Sequence, residues 1–330
     1  MTAHFPDVDT VGAALTLANR APSVHNSQPW HWRVGPRSLH LYAQSSVSLP
    51  RTDPDGRGLM VSCGAALHHC TIAFAALGWR AVVHRFPDPA QPEHLASLEL
   101  RRERALEVDI ALAAAIPRRR TDRRYYGAWP VALGDIALMG ARAARLGVTM
   151  RRLETTTEFR ALLAQAVWTH VTDDEYLGEL MVWSGRHASE VGVPARNTPE
   201  SDPAAAVPGR LFAGTALAQP EGVTAAGDNG IVLALGTADD DGSARLRAGE
   251  ATSAVLLTAT AKGLASCPVS EVLEVADTRN GLRRSAFCDG HVPQMLIRVG
   301  WAPLNADPLR PAPRRPLTET VSRLDGGPLL

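Results

Sequence analysis

Hydrophobic residues recur with a helical period over much of the chain and alternate with polar residues in shorter segments, a combination that predicts a mixed α and β protein. Strands are predicted at 80–86 and 231–235, and as a hairpin, Trp30–Val34 with Leu39–Ala43, that turns at Gly35-Pro36. Helices are predicted in five other segments, which are residues 8–19, 106–116, 131–146, 157–169 and 174–189.

Two segments follow neither period. Residues 192–230 are rich in Pro, Gly, Ala and Asp, and loops of this length in compact domains are usually functional covers or disordered. We therefore consider 192–230 a lid candidate. The proline-rich segment 303–316 is expected to run extended over a surface and to deliver Arg314 and Arg315 to a specific place.

The pattern also contains a degenerate duplication. Helix-like segments at 60–79 and 246–264 each carry glycines fourteen positions apart, Gly64 with Gly78 and Gly249 with Gly263. Each is followed by a strand-like segment that opens with His and ends in Arg, at 94–101 and 291–298. Chance similarity between Ala-rich helices explains the first match, but the agreement in order favours two half-repeats.

Composition bounds the class of protein. With 330 residues and 45% hydrophobic content, the chain can form one large or two medium domains with a buried core. No apolar run is expected to reach the roughly 18 residues that a membrane span requires, and residues 1–10 have neither a basic nor an apolar signal-sequence region, so a cytoplasmic location without a membrane is expected. The four cysteines have no CxxC spacing and are expected to be reduced and mostly buried: Cys63, Cys70, Cys267 and Cys288.

The heptapeptide Arg118–Arg124 concentrates five guanidinium groups in a chain with no net charge. A solvated basic face is one interpretation, and binding of a phosphate is the other, since arginine forks match phosphate oxygens. Nucleic acid is a weaker interpretation, because no aromatic residues interleave with the arginines.

A second polar segment, Ala21–Trp30, places amide side chains among prolines and a tryptophan. A helix start capped by Ser23, with Trp30 in the core, explains only part of it and leaves Asn26 and Gln28 without a role. Together with the arginine cluster, the segment suggests a phosphorylated cofactor with a flat heterocyclic ring.

Other chemistry has little support. The residues Cys63, His68, His69 and Cys70 match no standard zinc spacing and fall within a predicted helix, so we expect packing roles and no metal. Dinucleotide-fold, P-loop, zinc-protease and serine-hydrolase motifs are absent from the sequence.

Residues 21–30, which read APSVHNSQPW, resemble the A-P-S-x-x-N-x-Q-P-W signature of the FMN-dependent nitroreductase family, and 119–123 resembles its R-x-S-x-[RK] element. The tail 313–317 resembles its C-terminal basic-proline segment. The first two elements stand in the reverse of the usual order, which is similar to the Acg subfamily, where two nitroreductase-like halves are fused into one chain.

The resemblance implies a flavin between the two halves. Arg119, Arg120, Thr121 and Arg123, with Arg314 or Arg315, would then hold the phosphate and ribityl chain. The residues that would approach the ring and ribityl hydroxyls from the other half are Pro22, Ser23, Asn26 and Gln28.

A further loop, 263–271, resembles the G-L-x-x-x-P-[IV]-x-G loop whose backbone amides face the flavin N5. It would contribute Pro268, Ser270 and Glu271, with Glu271 where glycine is usual. A carboxylate near N5 would disfavour the anionic reduced flavin and crowd a hydride donor.

The resulting expectation is an α+β fold of two nitroreductase-like halves, 1–116 and 117–330, in which mainly antiparallel sheets flanked by helices close as a pseudo-dimer. The second half includes the lid candidate 192–230 and the tail 303–330. The expected function is NAD(P)H-dependent reduction of nitro or quinone acceptors through one FMN per chain. The alternative is an FMN storage protein with little turnover. The chain would act as a monomeric pseudo-dimer or a homodimer and would bind no nucleic acid.

Overall fold

The computed structural model describes residues 5–185 and 189–329, which form ten α-helices and nine strands. The helices are α1 (Val8–Ala18), α2 (Arg57–Ala76), α3 (Glu107–Ala115), α4 (Leu133–Ala144), α5 (Thr157–Val171), α6 (Asp174–Trp183), α7 (Gly242–Ala261), α8 (Glu271–Glu274), α9 (Ala276–Ala286) and α10 (Leu317–Thr320). The strands are β1 (Trp30–Val34), β2 (Leu39–Ala43), β3 (Trp79–Arg85), β4 (His94–Arg102), β5 (Thr149–Leu153), β6 (Ile231–Thr237), β7 (Ala265–Val269), β8 (Val292–Gly300) and β9 (Val321–Arg323).

The two sheets repeat one topology. The first has the order β3-β4-β2-β1-β9 and the second β7-β8-β6-β5. Each half contains two strands, then a long helix, which is α2 or α7, and then two more strands. All pairs are antiparallel except β1 with β9, which is parallel. The α+β fold with an internal duplication is thus confirmed. The boundary at 116/117 stays a prediction, and β9 at the chain's end lies on the first sheet.

The crossing of α2 and α7 explains the first glycine of each repeated pair. A Cβ on Gly64 would lie 2.0 Å from the carbonyl oxygen of Leu246, and one on Gly249 would lie 2.0 Å from that of Val61. The two helices therefore touch backbone to backbone, which only glycine permits. The second glycine of each pair follows the helix end with a left-handed φ, +81° at Gly78 and +79° at Gly263, the conformation that stops helices.

The core lies between each sheet and its long helix. In the first half, Trp30 and Trp32 of β1 pack with Phe74 of α2, and in the second, Leu233 of β6 packs with Val255 of α7. The expectation that no apolar run reaches membrane-spanning length was wrong for α2, which is long and apolar enough to cross a membrane. In this structure 67% of its most apolar window is buried inside the protein.

The predicted elements largely match. The hairpin was predicted with its observed bounds, and the other elements agree to within a few residues. α6 is shorter than predicted because it ends at Trp183, after which Ser184 pairs with Val193; residues 186–188 lie outside the described part. The lid candidate has two 3-10 turns, Ala195–Asn197 and Ala225–Gly227. The segment 303–316 has no helix or strand and contains one turn at 304–305.

Candidate functional site

Two adjoining cavities open between the halves. We call them the arginine cavity, of about 700 Å³, and the apolar cavity, of about 610 Å³, both volumes including the opening to solvent. Their common wall consists of Pro22, Ser23, His25, Thr121, Arg123 and Val193. The two predicted motifs, which are about 95 residues apart in sequence, therefore meet in one place.

The arginine cavity has an uncompensated positive charge. No Asp or Glu of the described residues lines it, whereas six arginines do: Arg20, Arg119, Arg120, Arg123, Arg310 and Arg314. Arg119 is buried, and the Nε atoms of Arg119 and Arg314 are covered without a hydrogen-bond partner in the described chain. Burial, followed by neighbouring arginines, lowers the pKa of Arg119 to about 10 and that of Arg314 to about 9. Buried, mutually repelling cations require an anion.

The five arginines of residues 118–124 do not all face the arginine cavity. Arg118 is exposed and Arg124 pairs with Asp122 at 2.9 Å, so neither lines the cavity. Arg120 lines the cavity, but its guanidinium donates to three backbone carbonyls, those of Leu309, Pro117 and Arg119, at 2.8–3.1 Å. Its donors are therefore less available than those of Arg119.

Arg123 stands between the cavities. It donates to the carbonyl oxygen of Asn197 at 3.2 Å, and its guanidinium lies 4.9 Å from the ring centroid of Phe212. Thr121 lies beside it, with its hydroxyl 3.4 Å from an Arg119 nitrogen. A ligand that spans both cavities would contact Arg123 and Thr121 at its middle.

The segment 22–28 is held in a strained conformation. His25, Asn26 and Gln28 have left-handed φ of 49°, 55° and 53°, and non-glycine residues of this kind concentrate at functional sites. Asn26 fixes the segment by donating to the carbonyls of Gly192 and Pro313, and its side-chain oxygen accepts from Arg314 at 2.9 Å. The amide thus positions Arg314, a role that the helix-start interpretation does not provide.

The apolar cavity lies directly over the helix crossing. Its floor combines residues of both halves, Val61, Ser62 and Ala65 from α2 with Thr252 from α7 and Met295 from β8. Pro268 and Ser270 line one side, as predicted for the loop after Gly263. The cavity is largely apolar, which suits an aromatic ring.

The lid candidate covers this cavity through Arg210 and Phe212. Of the apolar lid residues Val207, Leu211 and Phe212, only Phe212 lines this cavity. Val207 instead packs in the core beside Phe159, and Leu211 is 40% exposed.

Three predicted residues do not line either cavity. Gln28 is fully buried and joins two segments, since it donates to the carbonyl of Glu190 at 2.9 Å and accepts from the amide of Arg315 at 2.9 Å. The Arg315 guanidinium turns away to Gln44 and Glu319. Glu271 is buried, and its carboxylate turns to His170 at 3.1 Å, so it does not point into the apolar cavity as expected.

The cysteine and histidine cluster on α2 has packing roles. His68 and His69 both contact the hydroxyl of Ser253, at 2.7 and 2.8 Å, and the Cys63 thiol donates to the carbonyl of Pro29. Burial lowers the pKa of His68 to about 4. The described residues contain no group of three metal-type ligands.

Several lining residues were missed. Arg20 and His25 lie beside or within a quoted motif and could have been included, because a neighbour of a binding segment is a candidate. Arg210 and Asn197 come from the aperiodic lid, and Thr252 and Met295 from core elements, where no local pattern marks them.

No family model matches the chain. It is 60% identical over 321 residues to the Mycobacterium tuberculosis H37Rv protein named "Putative NAD(P)H nitroreductase Rv3131", with 97% of this chain and 93% of the relative covered. It is 36% identical to "Putative NAD(P)H nitroreductase acg" of the same strain, over 94% of this chain and 95% of the relative. Among solved structures, the nitroreductase with bound FMN from Bacteroides fragilis aligns with 59% of this chain and 90% of its own, at 13% identity and a TM-score of 0.39.

Proposed function

Because the chain belongs to the NAD(P)H nitroreductase family, we propose that it binds one FMN and acts as an NAD(P)H-dependent oxidoreductase on nitro or quinone acceptors. The phosphate would lie in the arginine cavity and the ring in the apolar cavity. The observation that carries this proposal is the pair of covered, unpartnered Nε atoms of Arg119 and Arg314 in a cavity lined by six arginines. A dianionic phosphate in this cavity would offset the charge of the six arginines.

The residues present fit such a group. Arg119 and Arg314 would hold the phosphate end. Thr121 would contact the middle, and Pro22, Ser23 and Asn26 would fix it from the other half. When bound, FMN supplies hydride transfer from NAD(P)H to the acceptor through its ring. The protein's part would be orientation and exclusion of water, for which the rigid crossing of α2 and α7 provides a floor. Ser270 would present a hydroxyl at the ring edge.

The first experiment identifies the cofactor. The purified protein is expected to be yellow and to release FMN, not FAD, on heating. Arg119→Gln and Arg314→Gln should each weaken FMN binding by about 1.5–3 kcal/mol, or about 10- to 150-fold, for the loss of charge-assisted hydrogen bonds. Arg145→Gln, an exposed arginine on the neighbouring helix end, is the control and should bind as wild type. Equal losses in all three variants would indicate general charge attraction and contradict the proposed cradle.

A second candidate function, FMN storage with little turnover, is favoured by one observation. Arg210 and Phe212 cover the apolar cavity, where a nicotinamide would have to stack on the ring. Anaerobic titration with NADPH and NADH separates the two functions: rapid bleaching of the flavin supports the oxidoreductase. Absence of bleaching in wild type, with bleaching in Phe212→Gly, would support storage.

We further propose that one chain is a complete binding unit, since both halves of the site come from the same chain. We also propose a cytoplasmic location. Light scattering of the FMN-loaded protein gives its oligomeric state. An FMN affinity that depends on protein concentration would contradict a self-sufficient chain.

A further inference from the structure

The lid is anchored to the body at both ends. The Tyr125 hydroxyl donates to Asp202, and its backbone amide donates to the Gln219 side chain at 3.0 Å. Further along, the Tyr126 amide donates to Asp228 at 3.2 Å. Residues 203–218, which we call the tongue, lie between the first two anchors. They are also held by Val207, which packs in the core, and by the Ala213 amide, which donates to the Ser184 hydroxyl at 2.9 Å.

Arg210 is the charged residue by which the tongue reaches the cavity wall. Its side chain is 11% exposed and pairs with Glu274 of α8. The same guanidinium lies 3.4 Å from the Ser270 hydroxyl and 2.8 Å from Nε2 of His25. Ser270 in turn donates to Glu274 at 2.8 Å. Arg210 thus links the tongue to two segments that line the apolar cavity.

The contact with His25 fixes the protonation state of that imidazole. A guanidinium has only donors, so Nε2 of His25 must carry its lone pair toward Arg210. An imidazolium has a proton on both nitrogens and would place a second positive charge against Arg210. We propose that Arg210 and His25 form a proton-sensitive latch, in which protonation of His25 expels Arg210 and opens the tongue over the apolar cavity.

The surroundings of His25 support this direction. Arg210 from the tongue, Arg123 from the other half and His170 from α5 face it, together with the Thr52 hydroxyl at 3.3 Å. Burial first, and then these positive charges, hold the pKa of His25 well below its usual 6.5. The Glu274 carboxylate is directed to Arg210 and His170, and Glu271 to the far side of His170. Arg210 itself remains charged, because Glu274 raises its pKa against the effect of burial.

The direction of the pH dependence follows from the linkage between proton binding by His25 and opening of the tongue. In the closed form the pKa of His25 is depressed, and with the tongue open, away from Arg210, it returns toward about 6.5. The open form therefore binds the proton, and the latch's contribution to closure is present above about pH 6.5 and lost as the pH falls. A full return of this pKa to about 6.5 would raise the opening equilibrium about tenfold between pH 7.5 and pH 5.5.

Trypsin measures the opening directly, because the bond after Arg210 can be cut only when the tongue is open. We expect the cleavage rate after Arg210, divided by that of His25→Gln at the same pH, to be about tenfold higher at pH 5.5 than at pH 7.5. Glutamine keeps an acceptor facing Arg210 but does not titrate, and the division removes the pH dependence of the protease. A ratio unchanged between the two pH values would overturn the latch.

If His25→Gln does not fold, because position 25 requires a left-handed φ, His25→Asn replaces it, since asparagine adopts that conformation readily. Hydrogen exchange of residues 203–218 in wild type, corrected for intrinsic rates, should show the same tenfold change, and no change would also overturn the proposal. Both measurements use the FMN-free protein. A protein that fails to bind FMN would therefore contradict the proposed function and leave the latch to be judged separately. With FMN bound, a latch resting on that function also predicts faster FMN release at pH 5.5 in wild type than in His25→Gln.

Discussion

Gly249→Ala tests the idea that the helix crossing holds both the fold and the floor of the site. The added Cβ would lie 2.0 Å from the Val61 carbonyl oxygen and 2.8 Å from Gly64 Cα. Ordinary contact begins at 3.4 Å, so α2 and α7 would have to separate by about 1.4 Å. The obstacle is backbone inside a helix and cannot rotate away.

The expected change in the free energy of unfolding is the difference between two effects. Overpacking of a well-packed interior costs about 1–3 kcal/mol, and the cost should fall at the upper end here because the clash is with backbone. Alanine returns about 1 kcal/mol through its higher helix propensity. We expect a net loss of about 2 kcal/mol in the free energy of unfolding.

Urea denaturation followed by circular dichroism measures this loss, and FMN titration of the folded variant measures its effect on the site. Gly178→Ala is a matched control, because Gly178 lies exposed within α6 and an added Cβ meets nothing within 4 Å. It should stabilise the protein by up to about 1 kcal/mol. If Gly249→Ala were as stable as Gly178→Ala, the crossing would not be the close contact described here.

Three further predictions concern charges. Arg85→Met should lower the free energy of unfolding by about 3–5 kcal/mol, because it leaves the buried Glu250, which lies 2.8 Å from Arg85, without a partner. In urea denaturation, the double variant with Glu250→Leu should recover most of this loss. No recovery would refute the pairing. Burial raises the pKa of Asp240, but hydrogen bonds from Arg245 and Gln294 outweigh it and lower the pKa to about 2. Its contribution to stability should therefore be present above about pH 4 and lost toward pH 2, and Asp240→Asn should show a flatter acid denaturation curve. Arg120→Ala should weaken FMN binding less than Arg119→Ala, since backbone carbonyls already occupy its donors; calorimetric titration gives the order, and the reverse order would refute it.

Local chemistry accounts for what the sequence predicted well. The hairpin follows from the alternation of apolar and polar residues around Gly35-Pro36. The repeated glycine pairs mark a helix crossing and the two helix ends. The arginine cluster was recognisable because a high density of one charge in a neutral chain requires a counter-charge. In each case the signal lies within about twenty residues.

What could not be predicted depends on distant partners. Glu271 turns to His170, which is 101 positions away, so its carboxylate direction is set by α5 and not by its own loop. Arg210 lies in a segment without periodicity, and its role arises only where Ser270 and His25 converge. Gln28 looked like a ligand residue because its type is polar, yet its hydrogen bonds hold the tail and the segment before Gly192 in place.

The duplication also explains why one site is expected and not two. Superposing Gly64 on Gly249 makes Ala65, which lines the apolar cavity, the counterpart of Glu250, which is buried and paired with Arg85. At the position related by the repeat, a charged pair thus fills the space that the ring would need. The connection 145–148 between α4 and β5 has four residues, whereas 19–29, between α1 and β1, has eleven and carries the strained segment. We therefore expect FMN titration monitored by absorbance to end at one equivalent per chain, unchanged in Arg85→Met, and an end point of two would refute this account.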